Sequence, residues 1–430
     1  MGKRALLLIL ATPICLQLRA EGLGLGDLIG LAEKSNLGLT EGRIALDVAR
    51  AGVTVSRSAL LPKLSIEYSA NYASQSDTWN SQAGLVLRQN FYDGGQSWSA
   101  LESSRIARAR AEIEEKRARE TMSLAVLKSF AAASRLERNR VASSRKLGLL
   151  EQQFNLARSQ YRQGRKTQQD YQLLEAELER SRLEVDSVDN ELFAAYRNLE
   201  KTVGNPEVVF DVSKLEMLTA EKILSLKQWF EESAYDPAAE SLELKSEKLA
   251  VDESQLSVDL IRKQYWPVLG VNASATYGSS SLIGPGASSW GDHDGFNLGV
   301  GLQLNWTLWD WGGVPAQVAR AKANEVLETK RFEQRKLDLV NDYRALSDNL
   351  RRQGHVLEVQ QKIRGLERKS FQQIDQEYRE GRSTYLELIT ALERDIQAEL
   401  SFENEVFAYF VSLAEVLELK GNLYDHAKTL

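Results

Sequence analysis

The chain has 430 residues, 43% of them hydrophobic and 27% charged, with 54 Lys and Arg against 60 Asp and Glu for a net charge of −6. The signs are mixed along the chain, which excludes a basic nucleic-acid footprint as its organising feature. No run after residue 20 approaches the roughly 18 apolar residues of a membrane-spanning helix, and only seven prolines stand in the way of long uninterrupted elements.

In chain order, residues 1–20 read as an export signal. Lys3 and Arg4 form the charged region, Ala5–Cys15 the apolar one, and Leu18-Arg19-Ala20 the cleavage site. Cys15 is the one cysteine, so the exported remainder is expected to hold no disulfide and no thiolate metal site. Glu41–Leu60 reads as a helix ending at Leu61-Pro62. Leu64, Ile66, Tyr68, Ala70 and Tyr72 then alternate with polar residues, the period of a strand. Residues 74–82 read as a polar loop and Leu85–Phe91 as the returning strand, giving a hairpin over about 64–92. Gln96–Tyr161 reads as one helix roughly 100 Å long. Its seam residues Leu147, Leu150, Phe154, Ala157 and Tyr161 step by three and four, as in a coiled coil. A return helix follows over Arg165–Gly204, completing a helical hairpin at 96–204. Residues 205–237 match neither rod nor strand and read as a linker or equatorial segment.

From residue 238 the pattern starts again. Ala238–Gln264 is helical, and Val268–Tyr277 and Phe296–Trp309 are strands around a Gly/Ser-rich loop, giving a hairpin over about 268–309. Val314–Tyr378 and Arg382–Lys420 form the second helical hairpin, 314–420, followed by a short tail. Tyr161-Arg162-Gln163-Gly164 recurs as Tyr378-Arg379-Glu380-Gly381, a period near 217 residues. Phe91-Tyr92-Asp93-Gly94-Gly95 recurs as Leu308-Trp309-Asp310-Trp311-Gly312-Gly313, read with one inserted tryptophan. Leu61-Pro62 recurs as Trp266-Pro267. Motifs repeated in the same order divide the chain into a signal, 1–20, and two copies of one unit, 21–204 and 238–430. Within a rod, Ala238–Gln264 is expected to stack end to end with the first return helix, and Glu41–Leu60 with the second. Two hairpins cannot close a barrel, and an open sheet edge does not survive in lipid, so the chain must oligomerise or stay out of the membrane.

The order of signal, helix ending in Leu-Pro, hairpin, Asp-Gly-Gly, long helix, Tyr-x-x-Gly and return helix, all duplicated, resembles the TolC-like outer membrane factor family. The resemblance covers essentially the whole exported chain. It implies a mixed α and β membrane protein of the Gram-negative outer membrane. Three chains would give four strands each to one 12-stranded barrel, continued by an α-helical coiled-coil barrel across the periplasm. It further implies a homotrimer in outer-membrane lipid, serving as the passive exit duct of a tripartite efflux pump or a type I secretion system. The partners would be a periplasmic adaptor (membrane fusion) protein and an inner-membrane transporter. Where the family commonly carries Asn-Pro near the N-terminus, Asn36 is followed by Leu37.

Aligned on Tyr378 and Gly381, the two aspartates that narrow the periplasmic end in the best-studied members fall on Glu387 and Thr390. Three copies of Glu387 about a threefold axis would repel one another and attract cations. Without the resemblance, Glu387 reads as a solvated glutamate on a helix face. Arg382 could pair with an acid on a neighbouring helix and hold the tube shut. The turns carrying Tyr161, Gly164, Arg165, Tyr378, Gly381 and Arg382 are what an adaptor could reach, although glycine at the φ > 0 position after a helix end is a structural account in itself. Tyr92, Trp98, Trp266, Trp306, Trp309 and Trp311 cluster at the strand ends. In a barrel they form an aromatic girdle, in a soluble protein a core. No P-loop, G-x-S-x-G or metal-ligand spacing is present, and His293, His355 and His426 are scattered, so neither enzyme activity nor a cofactor is expected. The alternative from another class is a structural periplasmic coiled-coil scaffold whose hairpins form a soluble cap.

Overall fold

The structure is a computed structural model that describes residues 24–73, 78–164, 167–204, 236–279 and 295–429. Its two longest elements are α3 (Gln96–Arg162) and a helix at Gly313–Arg379, each of 67 residues and about 100 Å long. They belong to one chain order: α1 (Leu25–Ser35), α2 (Leu37–Ser58), β1 (Lys63–Ala73), β2 (Thr78–Tyr92), α3, α4 (Gln168–Val203), α5 (Pro237–Glu240), α6 (Leu242–Arg262), β3 (Val268–Ser279), β4 (Gly295–Asn305), α7 (Gly313–Arg379), α8 (Tyr385–Lys420) and α9 (Leu423–Thr429). The segment 205–235, within the expected linker, lies outside the described residues, as does Arg165.

The shorter helices stack beside the long ones, with partners exchanged relative to the sequence reading. At the top of α4, Ser35 Oγ donates to the Val203 carbonyl at 2.8 Å and Asn36 Nδ2 to that of Thr202 at 2.8 Å. The Asn36 side chain also caps α2 by accepting from Leu39 N at 3.1 Å. Asparagine therefore joins two helices end to end, and it is α2 that continues α4. Correspondingly α6 continues α8, because Leu242 packs against Gly421 just past the end of α8. Across the rod the order is α2/α4, then α3, then α6/α8, then α7, with α3 touching both stacks. The main core sits at mid-height, where Leu28, Ile29, Val126, Leu127, Phe130, Phe410, Leu413 and Leu417 are buried together. The C-terminal residues expected as a tail form α9, whose Leu423 and Ala427 join this core, as does the unforeseen α1.

The strands make one antiparallel sheet in the order β1-β2-β3-β4. β2 starts at Thr78, inside the stretch read as a loop, and β4 stops at Asn305 rather than Trp309. One face carries Leu64, Ile66, Tyr68, Leu85, Leu87, Phe296, Leu298, Val300, Leu302 and Leu304, all exposed. The other carries Ser65, Glu67, Arg88, Asn272 and Ser274, with glycines at Gly84, Gly270, Gly299 and Gly301. Period-two alternation places most of the large apolar side chains on one side, with Val86 and Val268 on the other. Both outer strands, β1 and β4, keep a free edge in the single chain.

The turns from strand to helix are built identically in the two copies, which removes the insertion expected from the sequence. Asp93 Oδ1 accepts from Gly95 N at 2.9 Å, and Asp310 Oδ1 from Gly312 N at 3.1 Å. Asp93 Oδ2 accepts from Ser97 N, and Asp310 Oδ2 from Val314 N. Trp311 therefore occupies the place of Gly94 rather than an added position. Both have positive φ, +66° at Gly94 and +56° at Trp311.

Candidate functional site

The end of the rod remote from the sheet is formed by the α3–α4 and α7–α8 turns. At the second turn the chain closes α7 with Gly381 at φ +75°, Gly381 N donating to the Tyr378 carbonyl at 3.0 Å and Arg382 N to that of Glu377 at 2.8 Å. This 6→1 bond satisfies carbonyls the helix end leaves open, and glycine adopts the left-handed conformation without the cost of a Cβ. Gly164 repeats it at φ +71°. Tyr161 stacks on Tyr171 across the first turn at 5.3 Å between ring centroids, and Phe154 lies against the same ring. Tyr378 and Tyr385 are partly buried, and burial pushes both phenols up. Arg382 pairs with Glu380 of its own turn.

Glu387 is placed by its helix. Its carboxylate accepts from Thr384 N at 2.7 Å, Ser383 Oγ at 2.8 Å and Thr384 Oγ1 at 2.9 Å, while Thr384 Oγ1 accepts from Glu387 N. This is a capping box, and its signal, Thr384-x-x-Glu387 ahead of an apolar run, stands in the sequence. The Thr384 backbone N–H and the two hydroxyls hold the Glu387 carboxyl below its ordinary pKa, so it is charged at neutral pH. Thr390 lies one turn on, its hydroxyl turned back to the Leu386 carbonyl at 2.8 Å. The two turns leave a cleft of about 1270 Å³ between them, with Leu156, Leu173, Tyr378, Leu386 and Ile389 on its walls.

Farther up the rod lies a feature not read from the sequence. Helix α8 carries Asp395, Glu399 and Glu403 at four-residue spacing, facing arginines from both long helices. Arg145 of α3 pairs with Asp395 and, at 2.6 Å, with Glu399; Arg368 of α7 reaches the same two acids at 3.6 and 3.4 Å. Glu403 is held between Arg138 of α3 at 3.4 Å and Arg364 of α7 at 3.8 Å. Burial pushes the Glu403 carboxyl up, and the two arginines oppose this. The i, i+4 spacing of the acids in α8 stands in the sequence, but that they meet Arg138, Arg145, Arg364 and Arg368 is set by a packing across the two repeats that no local pattern encodes.

At the other end, Trp98, Trp266, Trp306, Trp309, Trp311 and Tyr92 are all exposed at the junction of sheet and rod. Trp306 Nε1 donates to the Tyr265 carbonyl at 3.0 Å, and Trp309 meets Trp311 edge to face at 5.9 Å. No described group of three or more His, Cys, Asp and Glu residues is placed to hold a metal ion.

A sheet apolar on one face and polar on the other, carried on a rod of paired helices, joins a β domain suited to lipid on one side to a helical domain. The family described as outer membrane efflux protein matches residues 28–205 and 235–404, and the chain belongs to that family. It is thereby an outer-membrane protein of a channel family, not of an enzyme family. Outer membrane protein TolC of Vibrio cholerae serotype O1 is 20% identical over 385 residues, covering 88% of this chain and 86% of that protein. The proteases secretion protein PrtF of Dickeya chrysanthemi is 24% identical over 353 residues, covering 78% and 72%. The Campylobacter jejuni outer membrane channel CmeC shares the fold with a TM-score of 0.78 at 14% identity, over 93% of this chain and 85% of that one.

Proposed function

We propose that the chain is one third of a passive exit duct in the Gram-negative outer membrane. Three copies would close a 12-stranded barrel and continue it into the periplasm as a helical tube. The observation that carries this reading is the sheet. Its apolar face suits lipid, its polar, glycine-rich face suits a water-filled lumen, and its two free edges must be paired before it can lie in a bilayer. The rod has the same need. Ile44, Val48 and Val55 on α2, Leu183 on α4, and Leu337, Ile363 and Leu366 on α7 are exposed on the outermost elements of the order α2/α4–α3–α6/α8–α7. A neighbouring copy covers them. A soluble cap has no use for the apolar band, which weighs against the scaffold alternative.

In this duct the two repeats, 21–204 and 238–430, alternate around the axis, and residues 1–20 are removed on export. The six aromatic residues at the strand ends form the girdle at the inner boundary of the membrane. Glu387 supplies a ring of three carboxylates at the periplasmic end, with Thr390 a turn above it. The turns at Gly164 and Gly381, and the cleft between them, where Leu156, Leu173 and Ile389 stand beside Gln160, Glu177 and Arg379, receive a periplasmic adaptor that links the duct to an inner-membrane transporter. That transporter serves a tripartite efflux pump or a type I secretion system and supplies the energy. Two relatives, one named TolC and one named for protease secretion, support such a role. The test is single-channel conductance of the purified protein in a planar bilayer under a salt gradient. Small, discrete, cation-preferring steps are expected. A well-folded sample that never inserts, or protein found wholly in the soluble periplasm, would overturn the reading.

A further inference from the structure

The internal repeat fixes more than the fold, because both hairpins are built to one register. Lys63 faces Arg88 and Tyr72 faces Trp79 in the first; Val268 faces Asn305 and Tyr277 faces Phe296 in the second. β3 is thus β1 repeated, and β4 is β2 repeated, with no slip along either hairpin. The chain also contains one joint between hairpins, β2 to β3, in which Leu85 faces Ala275, Leu87 faces Ala273 and Arg88 faces Asn272. That joint is a template for the one the single chain leaves unmade, from β4 to a β1.

Two differences between the copies mark where the missing strand belongs. β2 remains a strand through Tyr92, which pairs with Leu269, whereas β4, its repeat, ends at Asn305. The residues that should complete it include Trp306, Leu308 and Trp309, all exposed. They have no strand beside them, and the unpaired edge of β1 opposite exposes Leu64 and Ile66. The second difference is at the turn. A Cβ on Gly94 would stand 2.6 Å from Trp266 Cβ, because the corner between α6 and β3 packs onto that turn. Trp311, in the same place in the second copy, is 90% exposed. A side chain is tolerated there because no corner of its own chain lies over it.

We infer that neighbouring copies are joined β4 to β1 in the register of the internal joint, so that Leu302 lies opposite Ala70, Leu304 opposite Tyr68 and Asn305 opposite Glu67 of the next copy. This rests on the proposed trimer and adds to it the strand register. The pairing puts Leu302, Leu304, Tyr68 and Ala70 together on the lipid side and Asn305 and Glu67 on the lumen side. A slip of one residue is thereby excluded, since it would turn every side chain on β1 to the wrong face. At the turn the neighbour's corner, carrying Leu61 where this chain's own corner carries Trp266, is the surface that the exposed Trp311 indole would meet.

A slip of two residues keeps the faces, so the experiment must separate it. In a Cys15→Ala background the chain is free of thiols. Residues directly opposed in an antiparallel pair have Cα atoms about 4.5–5.5 Å apart, within disulfide reach, whereas diagonal neighbours lie about 7–8 Å apart. The double variants Leu302→Cys with Ala70→Cys, and Leu304→Cys with Tyr68→Cys, are oxidised in isolated outer membranes and run on non-reducing gels. Conversion of most of the chain to a reductant-sensitive covalent trimer is expected for both. The shifted pair, Leu302→Cys with Tyr68→Cys, should stay at the background of the single-cysteine variants. Two matched pairs at different heights guard against one that fails to assemble. Trimers by sedimentation that cross-link best through the shifted pair, or through neither matched pair, overturn the register and leave the duct standing. A chain that is monomeric by sedimentation overturns both.

Discussion

The acid column of α8 predicts a specific pattern of stability. Asp395 has a side chain only 1% exposed and is paired with Arg145, while its Oδ1 has no hydrogen-bond partner among the described residues. Arg145→Met removes one of its two cations and leaves Arg368 at 3.6 Å. Stranding a buried charge costs about 3–5 kcal/mol when nothing remains to face it. Here Arg368 remains, and Arg145 was 30% exposed and partly screened, so the expected loss is nearer ~2 kcal/mol. Asp395→Leu should cost less, on the order of 1 kcal/mol, because Arg145 keeps Glu399 at 2.6 Å. The double variant removes both partners and puts two apolar side chains into a site that satisfied its charges incompletely. It should be more stable than Arg145→Met alone, with a coupling of about 1–3 kcal/mol. The assay is guanidinium unfolding of the four proteins in detergent, followed by far-ultraviolet circular dichroism. If the double variant loses the sum of the two single losses, Asp395 and Arg145 do not act as a pair, and the column has no part in holding α8 between α3 and α7.

Glu387→Gln keeps the capping box, since glutamine serves at the third helical position, but removes the charge. It should weaken the cation preference measured as reversal potential in a salt gradient, with the unfolding midpoint almost unmoved. Glu387→Ala should change both, because the bonds from its carboxylate to Thr384 N and the two hydroxyls are lost with the charge. Equal selectivity in Gln variant and wild type would remove Glu387 from the pore. Gly381→Ala places a Cβ at φ +75° and should cost about 1–2 kcal/mol. Limited proteolysis at the α7–α8 turn should then be faster than in wild type, while cleavage at the matching α3–α4 turn is unchanged. Burial raises the Glu120 carboxyl from 4.5 to about 7, although it accepts from Tyr424 N at 3.0 Å. A raised acid leaves the folded state holding a proton the unfolded chain has lost. Stability is therefore greatest below pH 4.5 as far as this group is concerned, and falls as the pH rises through about 7, by up to ~3 kcal/mol. Glu120→Gln should flatten that part of the pH profile, and an unchanged slope in the variant would show that another group is responsible.

How far the sequence discloses this protein depends on the range of the interaction that decides each feature. The strands, the two long helices and the glycine turns follow from local period and local backbone demand, and Leu64–Tyr72, Gln96–Tyr161 and Gly381 are legible for that reason. Stacking is not local. The lengths of the short helices fit either partner, and what joins α2 to α4 is two hydrogen bonds from Ser35 and Asn36 to carbonyls 166 or more residues away. Glu387 is an intermediate case, since the box Thr384-x-x-Glu387 stands in the sequence while the resemblance implies a place in the pore for the same residue. The two roles are compatible: a capping box uses one carboxylate oxygen to fix the side chain, which holds a charge at a set position on the helix end, as a charged ring requires. Trp311 is the most instructive. In the sequence it looks like an insertion, because a tryptophan in the place of a glycine with positive φ breaks the local rule. Its hydrogen-bonded frame shows a substitution instead, at a point where the chain's own packing demands nothing. The local rule is broken where no corner of the same chain lies over the turn, which is where the proposed neighbouring copy would sit.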